Sequence, residues 1–232
     1  MENGFKYPGH IKVESAPWGE IHFGRRNMAT NTVVYLKQVY AMLASSLIVA
    51  VAAGYVGMTL PFAREHPIIL MLMMFGAMFL AFKVQNVVTL FLFTGISGLS
   101  IGPVVAHYAG AGMASVVGQA AFMTGAVFMG LSVYSLTTKR DLAMMNGMLF
   151  AGLIILLAGG LINLFLQSNA FAFAMSAIGS IIFAGYILYD TQQLKAHPWA
   201  VAPAVAALSM YLNVVNLFLS LLRLLDLLGD DK

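Results

Sequence analysis

Apolar residues run through the chain in seven long blocks, at about 33–60, 67–83, 87–109, 114–136, 142–166, 170–194 and 204–225. A helix needs about 20 apolar residues to cross a ~30 Å hydrocarbon core, with a floor of about 17. Each block therefore predicts a transmembrane helix. The breaks between them, at 61–67, 85–86, 109–113, 137–141, 167–169 and 198–203, are polar, glycine-bearing or proline-bearing. Residues 1–32 follow no such pattern. They are polar and carry Pro8, Pro17 and four glycines, which predicts a tail without stable helix.

The last block differs from the others in having a polar seam. Ser209, Asn213, Asn216, Ser220 and Arg223 recur at intervals of four, three, four and three, the rhythm of one helix face. The residues between them are Leu, Val and Phe almost throughout. At about 1.5 Å per residue the seam is about 21 Å long. Lipid would be a poor neighbour for it, so the pattern predicts that other helices wrap this one.

Composition agrees with the blocks. Of 232 residues 60% are hydrophobic and only 9% charged, against about 25% charged in soluble domains, and the mean hydropathy is +0.86. The fold class is an all-α polytopic membrane protein. A β-barrel would show weak ten-residue alternations instead. There is no cysteine, hence no disulfide, thiol nucleophile or cysteine-bound metal. The first 32 residues contain no short apolar core of a cleavable signal, so the first helix is expected to direct insertion.

Lysine and arginine in short loops mark the cytoplasmic side. With the N-terminus inside, the inner side holds Lys6, Lys12, Arg25, Arg26, Lys37, Lys83, Lys139, Arg140 and Lys195, and the outer side Arg64, Arg223 and Lys232. Nine against three sets the orientation: a cytoplasmic tail, seven spans and an external C-terminus. The rival arrangement is six spans with a last helix that re-enters and leaves on the cytoplasmic side. Small residues set the packing: Gly95, Gly98 and Gly102, followed by Pro103, form a close-approach face on the third span, and Gly152, Gly159 and Gly160 do so on the fifth.

Asp190 is the one acidic side chain inside an apolar block before the C-terminal end. A carboxylate at mid-bilayer costs about 2.5–3.5 kcal/mol on insertion scales. It is either a helix-end carboxylate in interfacial water beside Lys195, or a buried functional group. Hairpin geometry favours the second reading. Residues equidistant from the turn lie at equal depth, and 190 and 213 are equidistant from 201.5, inside the proline-bearing 198–203 connection. Asn213 should therefore face Asp190, with Tyr186 one turn away and Ser180 and Ser176 on the same face.

Three stretches, GISGLSIGPVVAHYAG at 95–110, ILYDTQQL at 187–194 and ALSMYLNVVNLFLSLLRLL at 207–225, resemble the Bax inhibitor-1 (transmembrane Bax inhibitor motif) family. The resemblance runs from about residue 33 to the C-terminus. It implies seven helices with the last one central to the bundle, and a pH-sensitive calcium leak across the membrane. In conducting relatives two aspartates, one on each of the last two helices, share a site. Close carboxylates resist ionising together, so such a pair takes up a proton as pH falls and biases a gate. Here Asp190 matches the first aspartate and Asn213 stands in the place of the second. An amide donates to a carboxylate but does not share a proton with it. Lys83 is a candidate charge partner, near where a relative places an arginine.

Two functions from different classes follow. In one, the protein leaks calcium or protons through Asp190 and Asn213, supported by Tyr186, Ser209, Asn216, Ser220 and Arg223, with calcium at Asp190 the only metal expected and no cofactor. In the other, it is a non-conducting partner or modulator of a membrane-anchored ATP-dependent protease of the FtsH type, gripped by the N-terminal tail. A small-molecule transporter ranks last, for want of paired midplane charges. His10, His22, His66, His107 and His197 are scattered over tail and loops, without metal-ligand spacing. The sixteen methionines fill apolar gaps. No phosphate loop, nucleophile motif or nucleic-acid signature is present, and the chain is not read as an enzyme. The expected location is the plasma (inner) membrane.

Overall fold

Proline, capping side chains and left-handed residues place the helix ends. In the computed structural model, which describes residues 20–229, the helices are α1 (Glu20–Thr59), α2 (Pro61–Glu65), α3 (Pro67–Val84), α4 (Val87–Gly110), α5 (Ala114–Thr137), α6 (Met145–Leu166), α7 (Asn169–Ala196) and α8 (Pro203–Gly229). Pro61 and Pro67 open α2 and α3, where a missing N–H costs nothing. Gln85 and Gln167 take left-handed conformations that end α3 and α6. The Asn86 Oδ1 accepts from the N–H of Thr89 at 2.9 Å and starts α4. The Ser168 Oγ accepts from the N–H of Phe171 at 3.3 Å and starts α7.

Seven of these helices, all but α2, are long and apolar enough to cross a membrane. Their bounds follow the predicted blocks closely, with three differences. Helix α1 starts at Glu20 rather than at 33: the breakers Pro8, Gly9, Pro17 and Gly19 all precede it, and Gly24 alone falls between 20 and 32. The expectation for residues 1–19 lies outside the described residues. The first break contains a one-turn helix, α2. Helix α8 runs on to Gly229, past the expected 225, and so brings Asp226 into the bundle.

Helix α8 is the axis of the bundle. It packs against α1, α4, α5 and α7. More than half of its most apolar stretch, 56%, is buried, against 11% for α6. The ring around α8 has four helices, with α3 laid on α4 and α6 on α7 in an outer layer. Tyr211 on α8 is fully buried; its ring meets Phe93 edge-on at 6.0 Å and its hydroxyl donates to Ser97 Oγ at 3.1 Å. Near the other end, the Tyr108 hydroxyl donates to Asp226 Oδ2 at 3.0 Å.

Helices α1 and α4 form the closest pair. A Cβ on Gly98 would strike the backbone of Ala50, and one on Gly102 the backbone of Gly54 and Gly57. Gly95, by contrast, has only Val49 Cγ1 at 4.0 Å. Pro103 lacks the N–H that would bond the Leu99 carbonyl one turn earlier. That carbonyl oxygen lies 2.5 Å from where a Cβ of Gly57 would stand.

Candidate functional site

Asp190 stands on the last two turns of α7, half-buried, facing α8. Its Oδ2 accepts from Ser209 Oγ at 2.7 Å and from Asn213 Nδ2 at 2.8 Å. The equal-depth argument therefore places Asn213 correctly, and Asn213 is 7% exposed. Ser209 lies one turn before Asn213 on the same face, so both donors reach one oxygen. The other oxygen, Oδ1, accepts from no group among the described residues. Lys195 does not approach Asp190; its Nζ donates to the Leu136 carbonyl.

The end of the site nearest the α7–α8 turn is closed by polar contacts. Tyr40 and Thr191 hydroxyls stand 3.5 Å apart, joining α1 to α7. Gln192 clamps the α5–α6 connection from both sides: its Oε1 accepts from the N–H of Leu142 and its Nε2 donates to the Arg140 carbonyl, each at 2.7 Å. Trp199, in a left-handed conformation at φ 67°, packs its ring tilted at 52° against Tyr35 at 5.0 Å, and the Tyr35 hydroxyl donates to the Val201 carbonyl at 3.1 Å. These contacts fix the α7–α8 turn and with it the register of Asp190 against Asn213.

The remaining seam residues do other things. Asn216 donates to its own Leu212 carbonyl at 2.8 Å. With Ser220 and Arg223 it lines a cavity of about 580 Å³ between α6, α7 and α8, which reaches down to Phe183 and stops short of Asp190. Tyr186 is half-buried one turn from Asp190 and donates to no acceptor among the described residues. Lys83 is exposed at the end of α3, which packs on α4 rather than on α7 or α8, so it is not a partner of Asp190. A charge partner requires adjacent helices, and the spacing of Lys83 in the sequence carried no information about which helices pair.

Sequence reading missed Asp226, because the apolar pattern fades before the helix ends. It also missed the cavity, whose signal lies in polar residues at three helix ends: Asn163 and Gln167 on and after α6, Asn169 on α7 and Arg223 on α8. Among the described residues no three His, Asp or Glu side chains gather in a metal-binding cluster. Asp190 instead offers a single carboxylate flanked by a hydroxyl and an amide.

The family model described as "Inhibitor of apoptosis-promoting Bax1" matches residues 32–230. The chain is 32% identical to the Escherichia coli (strain K12) protein named "Modulator of FtsH protease YccA", covering 89% of this chain and 95% of that one. It is 35% identical to an "Uncharacterized membrane protein" of Vibrio cholerae, covering 89% and 94%. It is also 32% identical to mouse "Protein lifeguard 4", covering 84% and 85%.

Proposed function

The chain belongs to the Bax inhibitor-1 family, and from that premise we propose that it is an integral protein of the inner membrane in which Asp190 handles a cation, calcium or a proton, on a leak path. The N-terminus lies on the cytoplasmic side and the C-terminus outside, as the lysine and arginine bias supports. One observation carries the reading. Asp190 is a carboxylate inside a helix bundle with both of its donors on Oδ2, leaving Oδ1 free to take a cation. Calcium is held tightly by six to eight oxygens. A site with one carboxylate and two neutral side chains suits passage, not storage.

The test is reconstitution of the full chain in calcium-free vesicles with a fluorescent reporter, at acidic and at alkaline pH. Asp190→Asn keeps the shape and both hydrogen-bonding neighbours but removes the charge, and its flux should fall at least tenfold. Wild-type vesicles that leak no faster than empty ones at either pH would overturn the leak.

A second reading has its own support, the name of the Escherichia coli relative. The protein modulates a membrane-anchored ATP-dependent protease that engages its N-terminal residues. Deletion of residues 2–19, which precede α1, should lower protease co-purification and lengthen the half-life of the protein. An unchanged half-life and unchanged co-purification rule it out. Asp190→Asn should leave protease binding intact, which separates the two readings.

A further inference from the structure

We propose that the cleft between α6 and α8 is a binding site for one anionic phospholipid, its phosphodiester held by Arg223 and the amides around the α6–α7 turn. Both helices pack on α7 and not closely on each other, so a cavity of about 580 Å³ is left between them with α7 as its floor. This site is separate from Asp190, and the proposal does not depend on the leak reading.

The lining is mixed along its depth. At the rim stand Asn163, Gln167 and Asn169; Arg223 starts lower on α8, one turn above Ser220, which lies against Gly179. Further in, Leu156, Met175, Phe183 and Leu219 share the walls with Ser176, Asn216 and Ser220. Along α7 the lining runs from Asn169 to Phe183, fourteen residues, or about 21 Å at 1.5 Å per residue. Half of a bilayer with its headgroups is about 20–22 Å. A cleft one leaflet deep, with a cation along it and leucine, methionine and phenylalanine side chains on its walls, has the length of a phospholipid, and a free anion would fill only part of it.

The cleft has the charge for a phosphate. The Arg223 guanidinium is exposed and makes no hydrogen bond or ion pair among the described residues. The nearest acid in the sequence, Asp226, is engaged by the Tyr108 hydroxyl instead. The Asn163 Oδ1 accepts from the Ser168 N–H at 3.2 Å, which leaves its NH₂ as a donor. Helix α7 begins at the same level, so the positive end of its dipole adds positive potential to the rim. Guanidinium and amide donors match phosphate oxygens, and a guanidinium does so with two parallel bonds. Gly160 opens onto the slot with nothing within 4 Å of a Cβ, so the wall of α6 leaves room for an acyl chain.

Native mass spectrometry of the full chain, released from nanodiscs of equal phosphatidylglycerol and phosphatidylcholine, reads the site directly. The wild type should retain one phosphatidylglycerol in preference to phosphatidylcholine. Arg223→Gln should cut that preference about tenfold, the size of one lost charge-assisted bond pair. Arg64→Gln removes an exposed cation outside the cleft and should leave the preference as it is. Gly160→Phe fills the slot and should release both lipids while helicity and melting temperature hold. Soluble glycerophosphate should fail to compete. If Arg223→Gln keeps the preference, or if Gly160→Phe keeps the lipid, the proposal is wrong. If glycerophosphate displaces the lipid, the site is one for free phosphate esters and the lipid assignment falls.

Discussion

Asp190 is held by two neutral donors on one oxygen, so the effect of each can be separated. Ser209→Ala removes the shorter bond and should destabilise the bundle by about 1 kcal/mol, since side-chain hydrogen bonds between membrane helices average well below that and those to charged groups exceed it. Thermal unfolding in detergent measures the change. Asn213→Asp would set an acid pair at this position. It places a second carboxyl 2.8 Å from the first, where the two share a proton. Calcium flux through this variant should vary between acidic and neutral pH by several-fold, with the wild type flatter over the same range. Much of this site was legible in the sequence, because depth in an antiparallel hairpin is set by counting residues from the turn. The choice of partner was less so. Ser209 and Asn216 both lie on the seam, yet Ser209 bonds Asp190 while Asn216 bonds its own helix, a difference of side-chain rotation that spacing does not encode.

At the scale of the helix, the α1–α4 contact makes glycines unequal. Gly102→Leu would drive a side chain into the backbone of Gly54 and Gly57, where no rotamer change gives relief. The cost should reach ~2–3 kcal/mol, in the range of overpacking, and appear as lost monodisperse protein on size exclusion. Gly95→Ala meets only a methyl group at 4.0 Å and should be neutral. The sequence grouped both with Gly98 as one small-residue face, since all three recur at helical spacing. What separates them is the crossing point of the two helices, a tertiary fact. The same holds for Gly160, which the pattern groups with Gly152 and Gly159. Those two press on Ile182 and Met175, whereas Gly160 faces open space. The helices themselves were legible because length and hydropathy fix a span. The one-turn helix α2 was not, because five residues between two prolines carry no periodicity.

For the whole molecule, centrality of α8 was legible from its seam but its neighbours were not: the sequence showed a helix that needs cover, without showing that α3 and α6 stay in an outer layer. The order of synthesis gives that arrangement a further meaning. A ribosome delivers α1 through α7 before α8 exists, so a nascent bundle has a ring without an axis and an Asp190 without donors. A chain stopped after residue 200 should insert but turn over several times faster than the full one in a pulse-chase experiment, and a co-expressed α8 segment should slow that loss. An equal lifetime would show that the ring closes unaided. Until α8 arrives, the carboxylate of α7 has neither of its donors, and its capture by Ser209 and Asn213 marks the docking of the last helix.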